Sequence, residues 1–277
     1  MATLVLQGKN LTNSNALEIS DKLNGILEPH IDYIRITFPQ NMLLEQLSNL
    51  RQRYDFDINI IPAQFEPKKV RLLFTDMDST LINIECVDEI ADFINVKPEV
   101  SAITDAAMRG DIDFETSLRQ RVALLKGLDT SVLERVYEER LKLNPGAEIL
   151  LKGLKIKGIK TALVSGGFTF FTERLKEQLG LDYTMANVLT EKNGKLTGEV
   201  SGAICGAQAK ADFLMTQCEK LGISTSQVVA MGDGANDLSM MKEAGLSIAY
   251  HAKPKVQSEA DVVLNHCGLE GVLGMLQ

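Results

Sequence analysis

The N-terminal part of the chain alternates short apolar runs with longer amphipathic segments. Alternation of apolar and polar side chains is typical of half-buried strands, whereas a spacing of three to four residues is typical of helices. The sequence PAQFEPKK ends this pattern, because two prolines and a lysine pair favour a linker. We therefore predict a small α+β module over residues 1–66. Its predicted elements are a strand at 3–7, a helix at 14–27, a strand at 31–38, a helix at 42–53 and a strand at 56–61.

Beyond the linker the apolar runs become continuous. Residues 70–75 suit a parallel strand that is buried on both faces, and an almost wholly helical block follows at 86–143. After Asn144-Pro145-Gly146, strands and helices alternate, which is typical of a doubly wound parallel sheet. The sequence thus predicts an α/β domain over 67–277, with its core at 67–84 and 146–277 and a helical cap inserted at 85–145.

The finer predictions for this domain follow the same periodicities. A hairpin is expected at 183–201, because Asn193-Gly194 supplies turn chemistry between two alternating runs. Predicted helices of the cap lie near 86–95, 99–108, 114–126 and 130–142. Predicted elements of the core are strands at 160–164, 227–231, 246–249 and 261–264, and helices near 146–156, 169–179, 209–221 and 236–244.

Composition narrows the function classes. A net charge of −8 and a pI near 5.1 give no indication of a nucleic-acid surface, although a local positive cluster for a small anion stays compatible with them. We expect no membrane partner, because no apolar stretch approaches about 18–20 residues. The N-terminus has no basic region before a long apolar core, so we expect no secretory signal and a cytoplasmic protein. The four scattered cysteines are expected to be reduced thiols.

Polar motifs follow the apolar runs at four places. Ligands of an open parallel sheet bind beyond the carboxyl ends of its strands, so we expect these motifs to meet. Together they would bring carboxylates, a hydroxyl, backbone amides and one ammonium to a single point. The motifs are DMDST at 76–80, SGG at 165–167, Lys210 at a predicted helix start, and GDGAND at 232–237.

Asp76 and Asp78 stand one residue apart at the end of a buried strand, where two carboxylates repel each other and resist desolvation. A helix cap or a solvated turn is one interpretation. A calcium loop starting at Asp76 fails, because its sixth position is Leu81 instead of Gly and its twelfth is Val87 instead of Glu. A divalent ion, held by this pair and the distant carboxylates of GDGAND, accounts better for the pattern. Few protein ligands plus a substrate phosphate is the arrangement that Mg²⁺ prefers.

The other motifs are ambiguous when taken singly. SGG precedes a helix predicted to begin at Phe168, so it fits an anion-binding turn or a plain strand-to-helix turn. Lys210 could equally be a solvated lysine. GDGAND departs from the dinucleotide-binding fingerprint, because its sixth position is Asp237 instead of Gly or Ala.

With the four motifs in this order, residues 70–275 resemble the haloacid-dehalogenase-like phosphohydrolases, and within them the phosphoserine phosphatases. That family has DxDx[TV] on the first strand, Ser or Thr after the second, Lys at a helix start and GDxxxD after the fourth. DMDST, VSGGF, AKADF and GDGAND match these features. The resemblance implies a Mg²⁺-dependent enzyme with the HAD-like fold.

The resemblance also implies a role for each motif residue. Asp76 would attack phosphorus to form an aspartyl phosphate, and Asp78 would protonate the departing alcohol and then activate water. The Asp76 carboxylate, the Asp78 carbonyl and Asp233 would hold Mg²⁺, with Asp237 in that shell or just behind it. The phosphoryl group would be bound by Ser165, the Gly166 amide, Lys210 and Asn236.

Substrate choice would be made by the cap. Phosphoserine phosphatases carry a Glu shortly after the nucleophile motif, then a Phe and an Arg on the cap, and Glu85, Phe114 and Arg121 match these positions. A carboxylate suits the ammonium group of phosphoserine, and a guanidinium suits its carboxylate. Without the resemblance, Arg121 could be a surface arginine of an amphipathic helix. With it, the implied reaction is hydrolysis of O-phospho-L-serine to L-serine and phosphate, the last step of serine biosynthesis.

Two rival functions and the role of the module are left open by the sequence. The first rival is a related phosphatase or phosphotransferase that acts on another small phosphomonoester. The second is a serine- or phosphoserine-binding regulator without catalysis, against which the intact acid pair and Lys210 argue. For the N-terminal module, homodimer formation, stabilisation of a lid and sensing of serine are all compatible with the sequence.

Overall fold

The computed structural model describes residues 2–39, 44–109 and 111–277. It contains a four-stranded antiparallel sheet near the N-terminus and a seven-stranded, mostly parallel sheet in the rest of the chain. A helical segment is inserted after the first strand of the larger sheet. This confirms the predicted fold class, a doubly wound α/β sheet with a helical cap and an N-terminal α+β module. The residue boundaries proposed for these parts stay predictions.

The N-terminal module folds as a sheet with two helices on one face. Leu4 and Leu6 pack towards the helices, whereas Val5 between them packs into the core of the larger sheet. The module therefore has a core of its own and a second face against the α/β domain. Its elements are β1 (Ala2–Gln7), α1 (Asn13–Leu23), β2 (Ile26–Pro29), β3 (Tyr33–Phe38), α2 (Leu44–Arg53) and β4 (Asp57–Ile61), and the strand order is β2-β3-β1-β4.

One predicted helix of this module was too long. Residues 14–27 were expected to be helical, but α1 ends at Leu23 and the next residues enter β2. Asn24 adopts a left-handed conformation with φ of 49°, which ends the helix. Gly25 then runs so close to β3 that a Cβ atom there would lie 2.6 Å from Cγ2 of Ile36. The predicted helix at 42–53 is described from Leu44 onward, and its first two positions lie outside the described residues.

The larger domain follows the predicted alternation closely, and most element ends agree within two residues. Its elements are β5 (Leu72–Thr75), α3 (Cys86–Asp92), α4 (Lys97–Arg109), α5 (Phe114–Ala123), α6 (Ser131–Glu139), α7 (Ala147–Ile156), β6 (Lys160–Phe168), α8 (Thr169–Leu179), β7 (Tyr183–Lys192), β8 (Lys195–Ser201), α9 (Ala207–Leu221), β9 (Val228–Gly232), α10 (Leu238–Glu243), β10 (Leu246–Tyr250), α11 (Pro254–Glu259), β11 (Val262–Leu264) and α12 (Val272–Met275).

The sheet order is β11-β10-β9-β5-β6-β7-β8, and β5 lies in its middle. Leu72 and Phe74 of β5 pack into one layer and Leu73 packs into the other, as expected for a strand covered on both faces. The predicted hairpin is confirmed as the antiparallel pair β7–β8, with positive φ angles of 54° at Asn193 and 74° at Gly194. The central position of β5 brings its carboxyl end between β6 and β9.

Two adjacent chain segments join the cap, α3 to α6, to the sheet domain. They pair through an isolated bridge between Ile82 and Leu143. The Asn144 side chain donates to the carbonyl groups of Thr80 at 2.8 Å and of Ile82 at 3.1 Å. The entry and exit of the cap are therefore bound to each other directly behind the DMDST loop.

No helix in the described part of the chain is both long and apolar enough to cross a membrane.

Candidate active site

The first carboxylate of DMDST stands at the end of the central strand. The backbone N–H of Asp76 still donates to the Met231 carbonyl of β9, at 3.0 Å, so the strand pairing fixes its position. A tight turn, Met77–Leu81, follows, and within it Ser79 has a positive φ of 56°. The turn brings the Asp78 side chain back to the same edge of the sheet, within reach of β6.

Asp76 belongs to a buried cluster of opposite charges. Its carboxylate and those of Asp233 and Asp237 have oxygen atoms within 4.8 Å of one another. The Lys210 ammonium lies 2.5 Å from an Asp76 oxygen and 2.7 Å from an Asp237 oxygen, and its side chain is fully buried. The four residues come from β5, the β9 loop and α9. The predicted convergence of these motifs is therefore what the structure contains.

The pKa values of Asp76 and Asp233 are raised, because burial and the neighbouring carboxylates act more strongly on them than Lys210 does. Burial raises the pKa of Asp76 well above its usual value, Asp237 raises it further, and Lys210 opposes both effects. Burial and Asp237 raise the pKa of Asp233 to about 6. For Lys210, burial alone would lower the pKa, but Asp237 and Asp76 outweigh it and raise the value, so the ammonium stays charged. Three crowded carboxylates beside one ammonium form a set of hard oxygen donors that suits Mg²⁺.

Asp78 has a different environment. Its carboxylate accepts from the backbone N–H of Cys86 at 2.8 Å and from the Ser165 hydroxyl at 3.2 Å. Burial raises its pKa, and these hydrogen bonds only partly offset the rise. A raised pKa suits a group that must carry a proton and then give it up. Its carboxylate is not in the metal-compatible group found among the described residues, so its predicted part in a metal site would involve its carbonyl.

The SGG segment differs from the prediction. The helix expected to begin at Phe168 begins at Thr169, and β6 runs on through Ser165, Gly166 and Gly167 to Phe168. The pairing of β6 with β7 shifts register between Val164 and Phe168. The phosphate-binding candidates are thus presented by an irregular strand and not by a helix N-terminus.

A buried asparagine that the motifs did not indicate explains this irregularity. The Asn187 side chain donates to the Gly166 carbonyl at 2.8 Å and accepts from the backbone N–H of Cys205, also at 2.8 Å. It takes the place of regular strand pairing at Gly166. Its signal in the sequence is one polar residue in a predicted hairpin strand, which is too common to single out.

The three cap residues predicted to choose the substrate lie around this edge. Glu85, directly before α3, accepts from the Ser79 hydroxyl at 2.7 Å, and burial and Asp78 raise its pKa to about 7. The ring of Phe114 covers Gly166, where a Cβ atom would lie only 2.9 Å from it. Arg121 makes one long hydrogen bond, 3.4 Å, to the Ser117 carbonyl.

The charges around Arg121 and the opening beside Phe114 complete this side of the site. Asp88, Glu85 and Asp78 are the acids whose charges act on the Arg121 guanidinium. An open cavity of about 510 Å³ lies between α5 and the start of α9 and is lined in part by Phe114. The remaining predicted residue, Asn236, lies in the turn between β9 and α10, with its amide oxygen against Gly234.

Comparisons with known proteins agree with this geometry. The family model "haloacid dehalogenase-like hydrolase" matches residues 70–245. A phosphoserine phosphatase from Polaromonas sp. is 53% identical over 225 residues, which are 79% of this chain and 95% of that protein.

Two solved structures are similar over different shares of the chain. A HAD family hydrolase from Salmonella enterica serovar Typhi has a TM-score of 0.92 and 32% identity, over 100% of this chain and 99% of that one. A phospho-aspartyl intermediate analogue of phosphoserine phosphatase has a TM-score of 0.71 and 44% identity, over 75% of this chain and 99% of that one. The resemblance is therefore confirmed, and the chain belongs to the haloacid dehalogenase-like hydrolase family.

Proposed function

We propose that the protein is a phosphoserine phosphatase, which hydrolyses O-phospho-L-serine to L-serine and phosphate with Mg²⁺ and through an aspartyl phosphate at Asp76. One observation carries the proposal: beside the Asp76–Lys210–Asp237 cluster the structure holds a carboxylate, Glu85, on the turn-side of the cap and a guanidinium, Arg121, within the field of Glu85 and Asp78. The Polaromonas relative, named for this activity, supports the substrate. Because L-serine is the product, the reaction would be the last step of its biosynthesis.

In the first step, an Asp76 oxygen forms a bond to phosphorus while the bond from phosphorus to the serine oxygen breaks. Asp78, whose pKa is raised by burial, gives its proton to that oxygen. The nucleophile must be ionised, and Lys210 at 2.5 Å favours this form. Asp76, Asp233 and Asp237 would hold Mg²⁺, together with the Asp78 carbonyl. The bound ion would offset the charge that these carboxylates and the phosphate bring together.

In the second step, Asp78 takes a proton from water, and the resulting hydroxyl attacks phosphorus. The phosphorus–Asp76 bond breaks, phosphate leaves and both carboxyl groups return to their starting state. Ser165, the Gly166 amide and Lys210 line the edge where charge develops on the phosphoryl oxygens. Phe114 packs over Gly166 and keeps stray water from the first step.

Glu85 and Arg121 would recognise the two ends of serine. Glu85 offers its carboxylate to the ammonium group, and Arg121 offers its guanidinium to the carboxylate. The charge of Asp78 acts on both residues, which supports a place for them on the Asp78 side of the site. The serine oxygen that leaves would therefore face the proposed proton donor.

A phosphate-release screen over small phosphomonoesters, with and without Mg²⁺, tests the substrate. We expect phosphoserine to exceed other monoesters and activity to vanish on chelation of the metal. Similar turnover of unrelated monoesters would instead indicate a broader phosphatase. Release of serine without an equal amount of phosphate when alcohols are present would indicate a phosphotransferase.

Asp76→Asn tests the mechanism. An amide cannot serve as the nucleophile, so we expect at least a 10⁴-fold loss of kcat. Wild-type protein quenched during turnover should carry a phosphoryl group that hydroxylamine removes, and the variant should carry none. Retained turnover in the variant would exclude Asp76 as the nucleophile.

A further inference from the structure

The N-terminal module contacts the α/β domain at the edge strand β11. Edge strands expose unpaired backbone groups, which proteins usually cover. Here the fully buried Asn59 of β4 donates to the Val263 carbonyl at 2.9 Å and accepts from the Val263 N–H at 2.8 Å. One side chain of the module thus takes the place of a neighbouring strand. The Arg51 guanidinium of α2 donates to the side-chain oxygen of Asn59 at 2.6 Å.

A second side chain of the module binds the loop that follows β11. The Asp57 carboxylate, only 4% exposed, accepts from three successive backbone N–H groups. These belong to Asn265 at 2.7 Å, His266 at 3.1 Å and Cys267 at 3.0 Å. A buried carboxylate is costly unless it is hydrogen-bonded, and hydrogen bonds to a charged group are strong. The loop after β11 therefore adopts a shape that depends on the module.

From this loop, side-chain hydrogen bonds continue to the metal side of the active site. The Asn265 side chain donates to the Gln257 side chain at 3.0 Å, and Gln257 donates to the Ala252 carbonyl at 2.6 Å. The next residue, Lys253, donates its backbone N–H to the Asp233 carbonyl at 3.1 Å. Asp57 of the module is thus linked to the loop of Asp233 by an unbroken chain of short contacts.

Residues 251–253, which lie at the end of this series of contacts, begin with an uncommon backbone conformation. The segment follows β10 directly, and its first residue, His251, has a positive φ of 44°, which is uncommon for a residue other than glycine. His251 donates its N–H to the Leu264 carbonyl of β11 at 2.9 Å. The segment of residues 251–253 is thus held by β11 and by Gln257, and both contact or neighbour the loop that Asp57 binds.

We propose that the N-terminal module is a clamp on the Asp233 loop, with Asp57, Asn265 and Gln257 as its positioning residues. When the module docks, Asp57 fixes the loop after β11. Through Asn265 and Gln257, this loop fixes the Ala252–Lys253 peptide. The Lys253 N–H then fixes the Asp233 carbonyl to which it donates. The effect on Mg²⁺ rests on the proposed metal site. The family model matches residues 70–245, so Asp57, Gln257 and Asn265 all lie outside the matched residues.

Asp57→Asn in the full chain tests the module end of the clamp, with Asp55→Asn as its control. Asp55 is exposed two residues earlier and its substitution removes the same charge. We expect hydrogen exchange of the Lys253 amide to rise about 10-fold in Asp57→Asn and to stay unchanged in Asp55→Asn. Mg²⁺ affinity, measured from the rise in melting temperature with Mg²⁺ concentration, should fall about 10-fold, as for other residues that orient metal ligands.

Gln257→Leu tests the chain of contacts without touching the module. Gln257 is half-buried beside a cavity of about 430 Å³ between α2 and α11. Its side chain bonds to the Asn265 side chain and the Ala252 carbonyl, so the replacement removes these two hydrogen bonds and keeps the three backbone N–H groups that bind Asp57. We expect the same rise in Lys253 exchange and the same loss of Mg²⁺ affinity, with a smaller fall in melting temperature than Asp57→Asn causes.

The outcomes separate the clamp from the proposed function. If Asp57→Asn lowers the melting temperature but leaves Lys253 exchange and Mg²⁺ affinity unchanged, the module only stabilises the chain and the clamp is wrong. If wild-type protein does not respond to Mg²⁺, the proposed metal site fails. Exchange at Lys253, measured without metal, then still decides whether the module holds the Asp233 loop.

Discussion

The two ends of the candidate active site are built differently. At the phosphoryl end, Lys210 and Asp237 are fully buried and joined at 2.7 Å, and Asp76 is held by Lys210 and by strand pairing. At the substrate-recognition end, Glu85 accepts from the Ser79 hydroxyl on the turn after Asp78, and Arg121 donates a long hydrogen bond of 3.4 Å to the Ser117 carbonyl. The charges of the first end are joined in ion pairs without substrate, whereas neither Glu85 nor Arg121 forms an ion pair with any of the residues that the structure describes.

This difference indicates how the site divides its work. Electrostatic groups that act on a transition state gain most when they are already fixed, since no reorganisation is then needed during the reaction. Groups that recognise the substrate can instead keep hydrogen-bonding atoms unused until the substrate binds. Substitutions at the phosphoryl end should therefore slow every substrate, and those at the recognition end should affect phosphoserine selectively.

Among the substitutions that test this comparison, Lys210→Met should have the largest effect. It removes the ammonium that is proposed to bind the phosphoryl oxygens and leaves Asp76 and Asp237 buried without it, so kcat should fall at least 10³-fold. Phosphoserine and p-nitrophenyl phosphate should lose activity equally, as measured by phosphate release. Lys220→Met, at the exposed end of the same helix, is the control and should be unchanged. A loss confined to phosphoserine would contradict the comparison.

Arg121→Ala should have the next largest effect. A hydrogen bond to a charged group contributes about 1.5–3 kcal/mol, so kcat/KM for phosphoserine should fall about 10- to 150-fold. Hydrolysis of p-nitrophenyl phosphate, which has no carboxylate, should change little. Arg119→Ala on the same helix removes an exposed arginine paired with Glu115 and serves as the control. Equal losses on both substrates would remove Arg121 from substrate choice.

The raised pKa of Glu85 predicts that the preference for phosphoserine depends on pH. With a pKa of about 7, the group loses its negative charge as the pH falls through 7 and then no longer attracts an ammonium group. The ratio of kcat/KM for phosphoserine to that for p-nitrophenyl phosphate should therefore drop between pH 8 and pH 6, by up to about 10-fold per unit below the pKa. Glu85→Gln should lower the ratio and flatten this profile. A flat ratio in the wild type would exclude the role.

The same shift has a consequence for stability. The folded-state pKa of Glu85 lies above the ordinary value of 4.5, so the folded protein binds this proton more tightly than the unfolded chain does. Its contribution is fully present below pH 4.5 and is lost as the pH rises through 7. Glu85→Gln should thus raise the melting temperature at pH 8, where Glu85 is ionised. The substitution should change it little at pH 4, where Glu85 is mostly neutral in both the folded and the unfolded protein.

The smallest effect is expected for Ser79→Ala. The Ser79 hydroxyl donates to Glu85 at 2.7 Å, and one such hydrogen bond contributes about 1 kcal/mol, which corresponds to about fivefold in kcat/KM for phosphoserine. Steady-state kinetics on both substrates will show whether p-nitrophenyl phosphate is spared. A loss of 100-fold or more on both would place Ser79 at the phosphoryl end.

The sequence predicted the α/β domain better than the N-terminal module. Continuous apolar runs such as 70–75 leave little choice of structure, because burial on both faces requires them. The helix predicted at 14–27 was too long, because its end depends on Asn24 and on the close approach of Gly25 to Ile36. That approach is a contact between two elements, and the local periodicity of the sequence gives no information about such contacts.

The phosphate-binding segment shows the same limit within the site. SGG was correctly expected at the carboxyl end of a strand, but its extended conformation follows from Asn187, which lies on the next strand. The predicted roles of Asp76, Asp78, Lys210 and Asp233 remain predictions, although the structure brings all four together. Their motifs could be found because each stands directly after a strand or at a helix start.

The sequence by itself determined the fold class, the family and the four motifs, because buried strands and the residues after them are local features of the chain. The tertiary structure decided what is bonded to what. The ammonium of Lys210 lies between Asp76 and Asp237, Phe114 covers Gly166, and Asp57 of the module holds the loop after β11. These contacts join residues far apart in the chain, and their geometry depends on the packing of whole elements, which no local pattern records.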